Sequence, residues 1–295
     1  MLSAWNTASR SSFMPELPEV ETIARGLDRR VKGDVIESVW LGSKPEPLKS
    51  PAAEIVATLE SKKILGVRRM GKHIVFDLER TRVEPARSSG KASKSRAVMD
   101  QWIVHLGMTG RMLVCGAKEE VSRHTHAIAR LASGRELRFV DPRRFGRLSV
   151  THGFAAPGSE PLEVELDRFV NLFRGRKTPI KSALLNQSLL SGVGNIYADE
   201  SLFRAGLRPR RRASSLSKEG LRRLYLALQE VLREAIGRGG SSISDYVDAD
   251  GEKGFFQLEH RVYGREGAPC LVCKTPIKRV VIAGRSSHYC PRCQK

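Results

Sequence analysis

The chain has 295 residues, and its 51 Lys and Arg outnumber 32 Asp and Glu to give a formal net charge of +19. That length allows two domains with separate cores, and the excess of cations, carried mainly by Arg in short clusters, points to a polyanionic partner. No run approaches the roughly 20 apolar residues of a membrane span and no basic amphipathic anchor stands out, so nucleic acid fits better than a membrane surface.

Residues 1–13, MLSAWNTASRSSF, carry one Arg, several Ser and no acid. They fit a weak transit peptide or upstream sequence read from a wrongly chosen start, the second being favoured for so short and featureless a segment; a secretory signal would need an apolar core. Next comes Met14-Pro15-Glu16-Leu17-Pro18-Glu19-Val20-Glu21. An internal Pro15 is an imide nitrogen without nucleophilicity, whereas a Pro15 freed by removal of Met14 carries a secondary amine able to attack an aldehyde-like carbon and form an iminium. The same residues also read as a plain helix start, with prolines in the first turn and Glu19 and Glu21 near the positive end of the dipole.

Val20, Ile23, Ala24, Leu27 and Val31 recur at helical spacing up to Gly33, which predicts a helix over 18–32. Alternating, β-branched stretches at 35–41, 64–70, 74–78, 102–106, 112–114 and 136–140 predict a β-rich, two-layer sandwich. Residues 80–96, rich in Ser, Lys and Arg, read as an exposed flexible loop between strands. From about 162 the pattern turns helical: Leu184, Leu185, Leu189 and Leu190 precede the glycine turn 191–195, and a second helix over 196–205 completes a hairpin. A longer helix opens near Ser217 and closes at Gly237, its stripe of Leu221, Leu224, Leu228, Val231 and Leu232 marking core packing, and 239–254 reads as a long loop. The fold class expected is α+β multidomain, with a β-sandwich domain over 14–150, a helical domain over 151–260 and a small module over 261–295.

That last module carries Cys270-x2-Cys273 and Cys290-x2-Cys293, separated by 16 residues, the spacing of a structural tetrathiolate zinc site on a β-hairpin. Two disulfides are the other reading, but they would need a secretory signal and leave Cys115 over. Arg285 lies at the tip between the knuckles, Gly71-Lys72-His73 joins two predicted strands, and His105-Leu106-Gly107-Met108-Thr109-Gly110 and Asp141-Pro142-Arg143-Arg144-Phe145-Gly146 are turns ending in glycine. Arg123-His124-Thr125-His126 has no nearby third ligand to support a metal. Gly192-Val193-Gly194-Asn195 exposes backbone N–H groups at a helix start, which suits a phosphate cradle, with Arg176 and Lys181 nearby.

In this order the motifs resemble those of bacterial formamidopyrimidine-DNA glycosylases, repair enzymes that excise oxidised purines and nick the strand, over residues 14–295. The resemblance implies a bifunctional glycosylase and abasic-site lyase in base excision repair, acting on duplex DNA that contains 8-oxoguanine, a formamidopyrimidine or an abasic site. It assigns Pro15 as nucleophile, Glu16 as proton donor toward the sugar ring, Lys72 to β-elimination and Arg285 to δ-elimination. Met108, Arg143 and Phe145 would fill the void left by the extruded base, with Arg143 facing the orphaned partner base. His124 would contact a phosphate, and Arg176, Lys181 and Asn195 would grip the lesion strand through a helix-two-turn-helix. Residues 240–256, with Ser241, Ser242 and Tyr246, correspond to a mobile cap over the flipped base. One structural Zn2+, a monomer and a cytoplasmic, nucleoid-associated bacterial location are implied as well. Departures are the leader, the basic insertion near 80–99 and Lys274, where the first knuckle commonly continues with glycine. The rival within the same chemistry is an endonuclease VIII-like enzyme for oxidised pyrimidines. Should residues 1–13 persist, the reading becomes a zinc-stabilised damaged-DNA binder without lyase activity.

Overall fold

The computed structural model describes residues 14–79, 99–241 and 254–295. Helix α1 (Leu17–Val31) opens the chain, and its predicted stripe of Val20, Ile23, Ala24, Leu27 and Val31 is buried throughout. Then come β1 (Ile36–Leu41), α2 (Ala52–Leu59), β2 (Ile64–Met70), β3 (His73–Leu78), β4 (Asp100–His105), β5 (Arg111–Gly116), β6 (Thr125–Leu131), β7 (Arg135–Val140) and β8 (Arg147–His152). They form two antiparallel four-stranded sheets, ordered β1-β6-β7-β5 and β2-β3-β4-β8. Inward residues of both, among them Phe139, Leu137 and Leu131 from one and Phe76, Trp102 and Val104 from the other, join one apolar cluster, which is the expected sandwich.

Four elements were not foreseen. Strands β6, THAIARL, and β8, RLSVTH, carry neither a continuous β-branched run nor a strict apolar–polar alternation: β6 mixes Ala and Arg into a stretch buried at every position but one, and β8 is largely polar. Helices α2 and α3 (Leu166–Phe173) are each only eight residues long. The expected loops at 80–96 and 239–254 fall mostly outside the described residues.

The helical part comprises α3, α4 (Ile180–Leu184), α5 (Asn195–Arg204) and α6 (Lys218–Gly237). Helix α4 stops at five residues, so Leu189 and Leu190 pack into the core from the turns between α4 and α5 rather than from a helix. Helix α6 packs on both α1 and α5, and Ser217 caps it by accepting the Gly220 N–H. Because α1 touches β2, β3 and α6, it lies between the sandwich and the helical domain, with its N-terminus at their junction. Arg69 reinforces that junction: its side chain forks onto Glu160 at 2.8 Å for both contacts, and its Nε donates to Glu21 at 2.7 Å. Strands β9 (Lys278–Ile282) and β10 (Arg285–Tyr289) form the terminal hairpin, which packs on α5.

Candidate active site

Residues 15–19 dock against the turn that starts α5. The Leu17 N–H donates to the Gly192 carbonyl at 3.0 Å, and Gly192, at φ +101°, presses so closely on Leu17 that a Cβ there would meet the leucine Cβ at 2.9 Å. Glu16 then points its carboxylate into the N-terminus of α5, where Oε1 accepts the Ile196 N–H at 3.1 Å. A Cβ on Gly194 would fall 2.1 Å from the Glu16 Cδ, so only glycine leaves the carboxylate room. The cradle expected to hold a phosphate therefore holds a carboxylate of the chain itself, by the same physics of an anion at a helix start.

Burial pushes the Glu16 carboxyl up to about 7, against the opposing pull of Lys72 and the α5 N–H groups and with help from Glu19. A carboxylic acid so placed is half protonated at neutral pH and is suited to give a proton. Glu19 is fully buried behind it. Its Oε2 accepts the Glu16 N–H at 2.9 Å, and its Oε1 accepts the Ser241 N–H at 2.8 Å and the Tyr197 hydroxyl. It is a first-turn helix acid, as expected, but it also ties Glu16 to Ser241, a contact across more than 220 residues that sequence spacing does not reveal. Glu21 pairs with Arg25 and Arg69, a structural role.

Lys72 sits in the two-residue turn between β2 and β3, where Met70 pairs with His73. Gly71 takes φ +59°, and a Cβ on it would touch Ser191 at 3.0 Å, which brings the lysine against the helical domain. Burial lowers the Lys72 pKa; Glu16 and Glu19 oppose this and Arg285 adds to it. Lys72 thus lies within electrostatic reach of both Glu16 and Arg285, although 56 and 269 residues of sequence separate Glu16 from Lys72 and Arg285. Arg285 itself is exposed, directly after the tight turn Ala283-Gly284, both at positive φ.

The wedge residues also converge. The Arg143 guanidinium lies 4.7 Å from the Phe145 ring centroid and reaches Met108 Sδ at 4.0 Å, while Phe145 remains 49% exposed. Asp141, fully buried, organises both turns: it accepts the Thr109 hydroxyl, the Gly146 N–H at 2.7 Å and the Arg143 N–H at 3.2 Å. Between these turns and Met14 opens a cavity of about 480 Å³ lined by Met14, Lys72, His73, His105, Met108, Phe145, Arg147 and Gln187, among others. Here His73, His105, Arg147 and Gln187 are additions to the sequence reading. The His73 and His105 rings are 5.0 Å apart, and burial, His73 and Lys72 bring His105 down to about 4, so it is neutral at pH 7.

His124 is half-buried at the start of β6, its carbonyl accepting the Asp141 N–H, which places it on the same strap as the wedge. Arg176 is exposed ahead of α4, with Nε donating to the Leu172 carbonyl at 2.6 Å. Asn195 is the first residue of α5, its Oδ1 buried without a partner among the described residues. Lys181 departs from expectation: it has no exposed surface with which to grip a strand, because its ammonium pairs with Asp199 at 2.7 Å.

Cys270, Cys273, Cys290 and Cys293 bring their sulfurs within 4.8 Å of one another, with Cys270 to Cys293 at 3.9 Å and Cys273 to Cys290 at 3.4 Å. These separations rule out disulfide bonds and match the roughly 3.8 Å between sulfurs that a tetrahedron with Zn–S bonds of about 2.3 Å requires. The four thiolates take one structural zinc ion, with no open position for chemistry. Chelating the metal is expected to unfold this module and weaken DNA binding, checked by hydrogen exchange at 267–295 and a binding titration before and after zinc is restored; a chelated protein that keeps both would overturn the assignment. Lys274 follows the first knuckle at φ +62°, where a side chain is strained. Lys274→Gly is therefore expected to stabilise the protein by about 1 kcal/mol, read as a raised Tm, and a lowered Tm would count against strain there.

Fold and site together define a nucleic-acid-processing enzyme in which a β-sandwich and a helical domain meet at the buried Glu16 and at Lys72, beside a zinc hairpin. Family models match three segments: the formamidopyrimidine-DNA glycosylase N-terminal domain over residues 14–148, the formamidopyrimidine-DNA glycosylase H2TH domain over 157–247, and the zinc finger found in FPG and IleRS over 267–295. The chain belongs to the formamidopyrimidine-DNA glycosylase family. It is 45% identical to the formamidopyrimidine-DNA glycosylase of Solibacter usitatus over 96% of this chain and all of the relative, and 37% identical to that of Listeria monocytogenes over the same shares. Among solved structures it is similar to a Lactococcus lactis FPG mutant in complex with Fapy-dG-containing DNA, with TM-score 0.83 and 30% identity over 95% of this chain and 100% of that one. The Thermus thermophilus MutM (Fpg) protein gives TM-score 0.79 and 42% identity over 95% of this chain and 98% of that one.

Proposed function

We propose that the protein removes oxidised purines from duplex DNA and then cuts the strand at the resulting abasic site. The observation that carries this reading is the buried Glu16 carboxyl next to Pro15, raised to about 7 and within electrostatic reach of Lys72, which lines a cavity together with Met108 and Phe145. The cavity accepts the extruded nucleotide, and Met108, Arg143 and Phe145 fill the gap left in the stack. With Met14 removed, the Pro15 amine forms a bond to C1′ as the glycosidic bond breaks; the base leaves with that bond's electron pair and takes up the proton that the amine nitrogen releases. Glu16 gives its proton to the ring oxygen, the C1′–O bond opens, and an iminium joins Pro15 to the sugar. Loss of a C2′ proton then expels the 3′ phosphate in the β step, and loss of a further sugar proton expels the 5′ phosphate in the δ step. Lys72 assists the first elimination and Arg285 the second.

His124, Arg176 and Asn195 bind the phosphates of the lesion strand, and Arg143 faces the widowed base, where its fork suits cytosine. Among the described residues no helix is long and apolar enough to cross a membrane; we place the protein, as a monomer, with the DNA in the bacterial cytoplasm. A damaged-DNA binder without lyase activity is the second reading, favoured by one observation: Met14 lines the cavity and its peptide bond turns the Pro15 nitrogen into an imide. A single-turnover assay on a duplex with 8-oxoguanine opposite cytosine separates the two. Base release followed by a nick supports the enzyme; tight binding with neither, from protein that starts at Pro15, overturns it.

A further inference from the structure

We propose that the buried Lys181–Asp199 ion pair positions Arg285 by holding the free edge of the zinc hairpin, and that Lys181 touches no phosphate. The inference rests on the δ-elimination role given above to Arg285.

Neither side chain has any exposed surface, and the Lys181 Nζ is 2.7 Å from the Asp199 Oδ1. The same Nζ donates to the Ser286 carbonyl at 2.7 Å, while the Asp199 Oδ2 accepts the His288 N–H at 2.8 Å. Along a strand, the C=O of one residue and the N–H of the second residue beyond it point to the same side. Strand β9 occupies the other side of β10, pairing Ser286 with Val281 and His288 with Arg279. One ion pair therefore supplies β10 with an acceptor and a donor on its open edge, as a third strand would, and it does so from α4 and α5.

The location of this grip matters for Arg285. The zinc ligands Cys290 and Cys293 fix the base of the hairpin, five residues and thus about 17 Å of strand away from Arg285. A hairpin held only there could swing its tip. The ion pair holds the carbonyl of the very next residue, so the tip is fixed relative to α5, whose first turn holds Glu16. Helix α5, together with Lys181 of α4, which pairs with its Asp199, thereby sets the spacing between the carboxyl of the first chemical step and the guanidinium of the last. A misplacement of about 1 Å at a reacting group costs on the order of 10²-fold in rate, so a device of this kind is worth its buried charges.

The test uses full-length zinc-loaded protein beginning at Pro15 and a duplex with a preformed abasic site. Lys181→Met together with Asp199→Asn removes both charges at once, which avoids stranding one of them in the core. The expected result is an unchanged borohydride adduct yield and unchanged zinc content, with the δ product reduced on the order of 10²-fold and the β product accumulating. In an Arg285→Ala background the double substitution should lower the δ product no further. A salt dependence of binding weakened by about one charge, with the product ratio unaltered, would make Lys181 a phosphate contact and overturn the inference. If Arg285→Ala loses the δ product while the double variant keeps it, the positioning role alone fails. If Arg285→Ala keeps it, the role of Arg285 fails first.

Discussion

Protein that begins at Pro15 is expected to form a borohydride-stable adduct with duplex DNA carrying 8-oxoguanine opposite cytosine, and protein that retains Met14 is expected to form none. The reason is the electron pair on nitrogen. Within a peptide bond it is delocalised into the carbonyl, whereas at a chain start it belongs to an amine that titrates near 8 and is partly neutral at pH 7. Space adds a second reason, since Met14 lines the cavity in which the sugar must approach Pro15. Pro15→Gly leaves a chain-start amine that is primary rather than secondary, and trapping should weaken strongly without being required to vanish. Gel-shift of the covalent complex after reduction reads all three proteins. An adduct from the Met14 form at the yield of the Pro15 form would move the nucleophile elsewhere, and Lys72, whose pKa burial lowers, would be the first side chain to replace.

What the amino-acid order revealed depended on distance along the chain. Strands such as β3 and β4, helix α1 and the cysteine knuckles announce themselves because their signal is local: a period, a cap or a two-residue gap. The sites of Lys72, Arg143 and Arg285 were reached through motif resemblance, and the approach of Lys72 to both Glu16 and Arg285 rests on contacts between distant segments. Two local features have partners in the fold that their sequence does not suggest. The glycine-rich start of α5 looks like a phosphate cradle, and only the contact across 180 residues from Glu16 to Ile196 shows that a carboxylate fills it. Lys181 looks like a surface cation, and only Asp199 and Ser286 show why its charge is buried. Asp141 was read merely as part of a turn, although its carboxylate ties both wedge turns together.

Glu16→Gln should be less active and more stable than the parent, and the two effects have one cause. As general acid toward the sugar, the carboxyl is expected to contribute on the order of 10²- to 10⁴-fold to base release, which the amide cannot supply. Stability runs the other way. The folded protein holds the Glu16 proton up to about pH 7 against 4.5 for an ordinary glutamate, because burial disfavours the carboxylate more than Lys72 and the α5 N–H groups favour it. Below pH 4.5 both folded and unfolded chains carry the proton and the fold has its full benefit; between the two values the unfolded chain has released the proton and stability declines as pH rises. Above pH 7 the loss amounts to about 3 kcal/mol. Glutamine stays neutral throughout and escapes this loss, and its carbonyl can still accept the Ile196 N–H. Urea unfolding at pH 5.5, 7.0 and 8.5, with Met14 retained so that no prolinium charge perturbs the carboxyl, should show the variant gaining on the parent as pH rises. Curves that stay parallel would mean that Glu16 is ionised in the fold at neutral pH and holds no proton to give.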